Sequence, residues 1–430
     1  MLRHQPRAAS PGRLAGSSKL LRAMNESATL AHLLDRGTLT RGDLRELTGL
    51  SKPTTSDVLR RLTDAGLAIV VGHTRGGPGP NAEIYAANPA AAYAVAVSVR
   101  ETTDLTRPEF TSALVDLAGT VHARARDRVN VETTDPLKAI EEIVGRLTAL
   151  AGLDRTGVTH VHLGVPGSYD AAAGVIRHID INGFDRVGLV TQLGERVGAS
   201  VEVENDVNLA AIAERGRGVA AGGGSFALLW FGEGLGLAID LGGNLLRGAR
   251  GGAGEIGYVP VGLPGQGPRD MQELVGGPAV VELATSHGIG GIGVGAVVAA
   301  AIEAARSKTP QQAVPTAPAH RPHSRLEREQ AEEAEKFLDE LACRMGQCVG
   351  AVAGVLDPPL IVLAGEVAQA GGEELARRVR AAISSTIPLD ITIAVTGIAD
   401  DAVLLGALDA GLRTVRDSLI NALRANVPAG

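Results

Sequence analysis

Cysteine is nearly absent from this chain of 430 residues, which contains only Cys343 and Cys348. Two cysteines do not make a disulfide framework in a chain of this length, and they cannot supply a four-cysteine zinc site. They lie five residues apart on an expected helix. We therefore interpret them as small buried apolar side chains in a reducing compartment.

Long apolar segments are also missing. No run approaches the roughly 18 residues that a membrane-spanning helix requires, and the basic N-terminal stretch lacks the apolar centre of a secretory signal. We therefore expect a cytoplasmic protein with no membrane partner. Hydrophobic residues make up 45% of the chain and charged residues 21%, a balance typical of globular proteins, and the length predicts two or three domains.

Charge is distributed unevenly along the chain. Residues 1–75 contain 12 Lys and Arg against 6 Asp and Glu, a net charge of +6, whereas the whole chain carries −7. A basic first part joined to an acidic remainder indicates that the first part binds a polyanion. Residues 1–17, rich in Arg, Pro, Gly and Ser, are expected to form a disordered basic tail.

Residues 18–88 follow the pattern of a winged helix-turn-helix. A first amphipathic helix precedes a short helix that Thr40 can cap, a turn at Gly49, and a second short helix that Ser51 can cap. Two β-like runs then flank a tip rich in Gly, Pro and Arg, as in a wing. The alternatives are an ordinary helical hairpin with a solvated basic face, or a winged helix that binds a protein partner.

The second short helix has the composition of a DNA recognition helix. A helix that enters the major groove presents short polar and basic side chains at its N-terminal end. We expect these to contact bases, and we expect arginines further along the helix and on the wing to contact phosphates. The candidates for base contacts are Lys52, Thr54, Thr55 and Ser56, and the candidates for phosphate contacts are Arg60, Arg61 and Arg75.

Residues 89–416 alternate between β-like and α-like segments, which predicts an α/β fold. A proline-rich insert at about 307–325 is expected to be a mobile loop. Residues 417–430 are expected to form a C-terminal tail that consists of a final surface helix and a frayed end. Within this body, residues 204–208 place polar groups after an apolar strand at the start of a helix, where open α/β sheets bind ligands. Residues 232–261 are dense in glycine, which allows the backbone to approach a ligand closely.

These segments resemble the ROK family, which unites sugar-responsive repressors with bacterial sugar kinases. The resemblance rests on GVPG at 164–167, ENDVN at 204–208, GEGLGLAI at 232–239 and RGARGGAGEIG at 247–257. Together with the winged helix it covers roughly residues 18–416, apart from the insert. It implies an α/β fold in which the head is followed by a two-lobed domain of the actin and hexokinase kind. It also implies a sugar bound between the lobes, and a homodimer or homotetramer.

The resemblance also implies a ligand site. Carboxylates and amides suit a sugar, because each sugar hydroxyl both donates and accepts hydrogen bonds. Asp206 occupies the position of the catalytic base of the family's kinases, and Glu255 could alternatively form only a salt bridge. By motif position the site contains Asn182, Asn205, Asp206, Glu255, Tyr258 and Glu273.

The chain departs from the family's kinases in three places. The first strand of the body, YAVAVSVRETTDL, lacks the D-x-G-G-T loop whose backbone N–H groups would hold ATP phosphates. Residues 263–273 lack the cysteines of the family's zinc motif, and Tyr258 replaces a histidine that contacts zinc and sugar. We therefore expect no catalytic residues, no cofactor, no bound metal and no kinase activity.

The sequence thus predicts a transcriptional regulator that binds double-stranded DNA, represses carbohydrate-related genes and senses a sugar or sugar derivative as effector. One alternative is a ROK-type sugar kinase with a fused DNA-binding head. Another is a regulator with a degenerate pocket, controlled by a non-sugar ligand or by a protein partner.

Overall fold

The computed structural model describes residues 17–74, 82–102, 104–262, 268–306, 325–384, 390–399 and 401–425. The expected basic tail up to residue 16, the wing-tip residue Arg75 and the proline-rich insert up to residue 324 lie outside the described residues. Among the helices of the described part, none is both long enough and apolar enough to cross a membrane.

The N-terminal head is a winged helix with three helices and a small antiparallel sheet in the order β1-β3-β2. Its core includes Leu30, Leu44 and Leu59, one from each helix, and Tyr85 from the sheet. Its elements are α1 Ser17–Arg36, β1 Leu39–Thr40, α2 Arg41–Thr48, α3 Lys52–Asp64, β2 Ala68–His73 and β3 Glu83–Ala87.

The helix-turn-helix forms at the capping residues that the sequence indicates. The Thr40 side chain accepts a hydrogen bond from the backbone N–H of Asp43, and the Asp43 carboxylate accepts one from the backbone N–H of Thr40. Gly49 ends α2 with a φ of 69°, a left-handed conformation that glycine adopts readily. Ser51 then caps α3 through the N–H of Thr54. Local chemistry therefore sets the start of both helices.

The first lobe of the body is a five-stranded sheet in the order β10-β7-β4-β5-β6. Strands β4, β7 and β10 run parallel to one another and therefore end at the same edge. The elements of this lobe are β4 Tyr93–Arg100, β5 Glu109–Asp116, β6 Val121–Arg128, α4 Pro136–Leu150, β7 Val158–Val165, β8 Ser168–Asp170, β9 Val175–Arg177, α5 Leu189–Val197, β10 Ser200–Asn205 and α6 Asp206–Arg217.

The second lobe is a four-stranded sheet in the order β12-β11-β13-β14, in which only β12 is antiparallel to its neighbour. Helices α9, α10 and α11 pack together on it and bury a large apolar core. The elements are β11 Phe226–Phe231, β12 Leu235–Asp240, α7 Met271–Val275, α8 Gly277–Ser286, α9 Val294–Arg306, α10 Arg325–Leu356, β13 Leu360–Ala364, α11 Gly365–Ser384 and β14 Thr392–Val395.

The last helix, α12 Ala402–Ala425, packs its first half against α6 and against strands β4 and β7 of the first lobe. Gly406 permits this approach, because a Cβ at that position would overlap the backbone oxygen of Leu209 in α6. Helix α12 therefore lies directly against the helix that begins with Asp206.

The second half of α12 corresponds to the surface helix expected after residue 416, but it packs against the head. The helix continues to Ala425, and Leu419, Ile420 and Leu423 pack against the core of the head. The hydroxyl of Ser27 in α1 also donates a hydrogen bond to the backbone oxygen of Ile420, at 3.3 Å. The surface that stabilises this segment lies near the opposite end of the sequence, so local patterns do not reveal it.

Candidate functional site

A cavity of about 480 Å³ lies at the edge where strands β4 and β10 end, closed from the other side by residues of the second lobe. Its lining includes Asn205 and Asp206 from the β10–α6 junction, and Glu255 and Tyr258 from the glycine-rich segment after β12. Four of the six predicted ligand residues therefore lie around one cavity.

Asp206 is the first residue of α6 and lines the cavity. Burial, with a smaller contribution from the nearby carboxylates of Glu101 and Glu255, raises the pKa of its carboxyl group to about 7. A hydrogen bond from the backbone N–H of Val207 opposes this change. Near neutral pH the carboxyl group can therefore donate or accept a hydrogen bond, depending on its protonation.

Asn205 caps α6 and holds the loop after β7. Its Oδ1 accepts hydrogen bonds from the backbone N–H groups of Val207 and Asn208, at 2.9 and 3.1 Å. Its Nδ2 donates to the backbone oxygen of Gly167, at 3.2 Å. One Nδ2 hydrogen thus remains for a ligand, and the main effect of Asn205 is to position its neighbour Asp206.

Glu255 and Tyr258 form the opposite side of the cavity. Gly254 precedes them with a φ of 97°, and a Cβ there would overlap the backbone oxygen of Leu237, so this turn requires glycine. The Glu255 carboxylate accepts a hydrogen bond from the hydroxyl of Ser168. Partial burial, with Glu255 nearby, raises the pKa of Tyr258, so its phenol is a neutral hydrogen-bond donor.

Three further cavity residues were not singled out from the sequence: Glu101, His178 and Asp180. Glu101 directly follows β4, and burial raises the pKa of its carboxyl group, although a hydrogen bond from the backbone of Asp180 opposes this change. The ring of His178 lies 5.4 Å from that of Tyr258. The position of Glu101 at the end of the first strand of the body was a sequence signal for it, whereas His178 and Asp180 follow a three-residue strand that has no clear pattern.

Two predicted ligand residues lie away from the cavity. Asn182 is exposed, because its neighbours Ile181 and Phe184 anchor this segment in the core of the first lobe. Glu273 faces a different surface, where Arg269 forms an ion pair with it. Neither residue lines the cavity, whereas Asp180 does, and the assignment of Asn182 and Glu273 to the ligand site stays a prediction.

The residue before Glu273 points back towards the cavity wall. The Oε1 of Gln272 accepts a hydrogen bond from the backbone N–H of Leu235, at 2.8 Å, and its Nε2 donates to the backbone oxygen of Glu233, at 3.3 Å. Gln272 thus fixes the glycine-rich turn 232–236, most of which lines the cavity. A shift of one residue along a helix is enough to exchange an inward side chain for an outward one.

The recognition helix presents part of the predicted set at its surface. Lys52 is exposed at the start of α3, and Thr54 and Ser56 are half-buried. Thr55 is only 2% exposed, and its hydroxyl donates to the backbone oxygen of Ser51. The prediction of a base contact by Thr55 is therefore wrong: it shares one helix face with the buried residues Val58, Leu59 and Leu62.

The two described arginines that are predicted to contact phosphates form ion pairs within the head. Arg60 is exposed and bonds the carboxylates of Asp57 and Asp64, at 2.8 and 2.9 Å. Arg61 is less exposed and pairs with Asp57 at 3.0 Å and with Glu26 of α1 at 3.7 Å. Arg60 therefore remains available to a phosphate, whereas Arg61 also joins α3 to α1. Arg75 lies outside the described residues.

Comparison with known families identifies the body. The sequence model of the ROK family matches residues 102–410, well over half of the chain. The chain belongs to the ROK family. A sequence model of the MarR family matches residues 21–77, which lie in the head. A winged helix therefore precedes the ROK domain.

Named relatives of the ROK domain include kinases and repressors. The chain is 37% identical to a glucokinase of Halalkalibacterium halodurans over 101 residues, 24% of this chain and 31% of that protein. It is 22% identical to the xylose repressor of Bacillus subtilis over 246 residues, 57% of this chain and 62% of that protein. The match thus spans less than two thirds of the length of each relative.

Solved structures share the fold of most of the chain. One is a ROK family transcriptional regulator, a homologue of the Escherichia coli MLC protein, which is 18% identical with a TM-score of 0.68 and covers 95% of this chain and 100% of its own. Another is the ROK hexokinase of Thermus thermophilus, which is 24% identical with a TM-score of 0.56 and covers 76% of this chain and 99% of its own. At these identities the likeness establishes the fold.

The ROK domain of this chain does not fit the family's zinc ion at the motif position. Residues 263–273 contain no cysteine, and within their described part the Glu273 carboxylate is taken up by Arg269. A neutral phenol such as Tyr258 is a poor substitute for an imidazole as a zinc ligand. We assign no metal chemistry to this segment.

Proposed function

We propose that this protein is a transcriptional repressor that binds operator DNA through α3 and senses a sugar or sugar derivative in the acidic cavity. The proposal rests on one observation: the same chain contains a helix α3 with an exposed polar N-terminus and a cavity lined by carboxyl groups. The xylose repressor similarity supports the same conclusion.

The head supports DNA binding through its geometry. Lys52 is exposed where a recognition helix would meet base edges, and Arg60 is exposed one helix turn or more further on, where phosphates would lie. Because a palindromic operator is read by two helices about one DNA turn apart, we propose that a homodimer is the active form. A dimer would place two copies of α3 on neighbouring major grooves.

The cavity supports a ligand rich in hydroxyl groups. Asp206, Glu255, Glu101 and Asp180 all line it, and its volume of about 480 Å³ suits a small molecule. Carboxylates accept hydrogen bonds from sugar hydroxyls, and the protonated form of Asp206 can donate one. Arg100 and Arg128 also line the cavity, so its charge is mixed, with carboxyl groups in excess.

Carboxylates in this cavity disfavour the binding of a nucleoside triphosphate. Glu101 occupies the turn after β4, and the side chain of Glu366 lies so close to Gly232 that a Cβ there would overlap its carboxylate. Two carboxylates thus flank the positions where backbone N–H groups would have to hold phosphates. We propose that the ROK domain binds its ligand without transferring a phosphoryl group.

A sugar kinase is the second candidate, and Asp206 favours it. A carboxyl group with a pKa of about 7 is well suited to act as a general base on a sugar hydroxyl. The similarity to the glucokinase, 37% identity over 101 residues, supports this candidate but covers only 24% of this chain. Only an assay of ATP turnover separates this candidate from a binding protein.

The deciding experiment measures operator affinity by fluorescence anisotropy with and without a panel of sugars, beside ATP turnover. We expect one sugar to change the affinity of the wild type by about 5- to 150-fold, the usual range of allosteric coupling, with no turnover. Asp206→Asn should bind the operator as the wild type does and lose the response to the sugar. Operator fragments come from mapping the DNA that the protein occupies in cells.

Glu273→Gln is the matched control, because the structure places Glu273 outside the cavity. It should keep the sugar response in full. Turnover of ATP by the wild type with any sugar would overturn the binding-protein proposal. If no sugar changes operator affinity, the sensor half fails while the DNA-binding half stands.

A further inference from the structure

Two histidines and a glutamate meet on the first lobe, outside the cavity lining. His160 and His162 alternate along β7, so their side chains lie on the same face of the sheet. Glu202 lies on the adjacent strand β10, directly opposite His162 in the register. The side chains of His160 and His162 are only 1% and 6% exposed, whereas that of Glu202 is 52% exposed.

The three side chains bring one atom each to a common point. His160 Nε2 lies 3.3 Å from His162 Nδ1, and these nitrogens lie 4.0 and 3.6 Å from Glu202 Oε2. A point equidistant from three atoms with these separations lies about 2.1 Å from each of them. Zinc binds imidazole nitrogen at about 2.0–2.1 Å and carboxylate oxygen at about 2.0–2.2 Å.

Hydrogen bonds orient His160 for coordination. The hydroxyl of Ser200 donates to the backbone oxygen of Thr159, at 3.0 Å. It can therefore only accept from the Nδ1–H of His160, which lies 2.9 Å away. In the neutral ring this leaves an unprotonated Nε2 facing His162 and Glu202, and such an outer hydrogen bond fixes the tautomer of most metal-binding histidines.

Glu202 is held from the other side by α12. The hydroxyl of Thr414 lies 2.9 Å from Glu202 Oε2 and donates to it. Gly411 lets α12 approach the two rings, since a Cβ there would lie 3.2 Å from the Cβ of His162. An ion bound by these ligands would therefore join β7 and β10 and lie under the helix that reaches the head.

We propose that His160, His162 and Glu202 bind one divalent transition metal ion, of which Zn²⁺ is the reference case, with solvent completing the coordination. Two imidazoles and one carboxylate form a ligand set that suits zinc and its neighbours. The exposed side of Glu202 provides the access route. The expectation of no bound metal rests on the missing cysteines of the family's zinc motif, whereas this site uses residues on two separate strands.

The ligand set also indicates a site of moderate strength. His162 Nε2 is buried and has no hydrogen-bond partner among the described residues, so this ring lacks the outer support that His160 has. We therefore expect zinc to exchange with a chelator, and the protein to be prepared in both metal-free and zinc-loaded forms.

The test is a zinc titration of the untagged full-length protein after chelator treatment, followed by competition with a chromophoric chelator. We expect one Zn²⁺ per chain for the wild type and a rise in melting temperature on loading. Glu202→Gln removes a ligand at an exposed position and should weaken zinc binding by about 100-fold or more. His160→Gln should do the same, but it is buried and is interpreted only if its circular dichroism matches the wild type.

His122→Gln is the matched control, because His122 pairs with a single carboxylate, Asp116, at 2.8 Å. It should leave zinc binding unchanged. Glu202→His replaces one zinc ligand with another and should restore binding that Glu202→Gln loses. The proposal is overturned if the wild type binds no Zn²⁺, or if Glu202→Gln binds it as tightly as the wild type.

Discussion

At the junction of β10 and α6, one carboxyl group carries most of the chemistry proposed for the cavity. Asp206 is surrounded by Glu101, Glu255 and the protein interior, and these together raise its pKa to about 7. The Oδ1 of its neighbour Asn205 accepts two hydrogen bonds from backbone N–H groups at the start of α6. The two adjacent polar residues thus have different roles: Asn205 holds the backbone, and Asp206 lines the cavity.

The raised pKa of Asp206 predicts a pH-dependent stability. An acid whose pKa is higher in the folded protein loses stability as pH rises from its unfolded pKa, near 4, to its folded pKa, near 7. Each pKa unit is worth about 1.4 kcal/mol, so the ionised form costs at most about 4 kcal/mol. We expect Asp206→Asn to gain melting temperature relative to the wild type between pH 5 and 7, with no further gain above.

The measurement compares thermal unfolding of the two proteins at several pH values. Glu101→Gln gives an internal check, because removing this carboxylate lowers the pKa of Asp206 and should shift the pH window downward. A stability difference that stays constant between pH 5 and 8 would show that the Asp206 carboxyl group is ionised in the same range as in the unfolded chain.

The predicted site residues differ in how well the sequence located them. The motifs placed Asn205, Asp206, Glu255 and Tyr258 at one cavity, because each motif follows a strand or a glycine turn that fixes its position. Asn182 and Glu273 lie in segments without such an anchor, and an offset of one or two residues moved them to other surfaces. Thr55 was predictable: its spacing of three, four and seven residues to Val58, Leu59 and Leu62 already indicated a buried face.

Among the elements, α3 shows how a helix divides its residues between DNA and core. Thr54 and Thr55 are adjacent and chemically identical, yet Thr55 is buried and Thr54 is half-exposed near the Ser51 cap. The same substitution at Thr54 and at Thr55 is therefore expected to have different effects, and each variant serves as a control for the other.

We expect Thr54→Ala to reduce the preference for operator over random DNA, by about 1–3 kcal/mol if Thr54 contacts a base edge. Thr55→Ala should leave that preference unchanged and lower the melting temperature of the head, because it removes a buried methyl group and hydroxyl. Competition binding with operator and non-operator duplexes at one salt concentration measures the first effect. Loss of preference in Thr55→Ala alone would mean that α3 is rotated relative to the DNA from the orientation inferred here.

Helix α12 packs against both the body and the head, and its sequence does not indicate the contact with the head. Capping residues and turn glycines made the head predictable, because these signals act over three or four neighbouring residues. The second half of α12 depends on a partner near the N-terminus, with Ser27 and Ile420 in hydrogen-bond contact. Apolar spacing shows that a helix has a buried face, but it does not show which surface covers that face.

Across the whole molecule, α12 connects the cavity to the head. Its first half lies on α6, whose first residue is Asp206, and Arg416 fastens its middle to the backbone oxygen of Leu117 in the body, at 3.0 Å. Its last turns pack on the head through Leu419, Ile420 and Leu423. A ligand that shifts α6 relative to the first sheet would therefore move a rigid helix whose far end touches the DNA-binding core. This coupling rests on the proposed function, and we propose α12 as the element that carries it.

Leu423→Ala tests this connection, because it removes half-buried apolar contact between α12 and the head at a position outside the cavity lining. We expect the operator affinity without ligand and the affinity for the active sugar to stay within a few-fold of the wild type. The ratio of operator affinities with and without sugar should fall towards one, since the head no longer follows the helix. Fluorescence anisotropy gives the operator affinities, and calorimetry gives the sugar affinity.

Asn421→Ala, on the same turn but exposed, is the control and should keep the wild-type ratio of operator affinities. If Leu423→Ala keeps that ratio as well, the signal between cavity and DNA travels by a route other than α12.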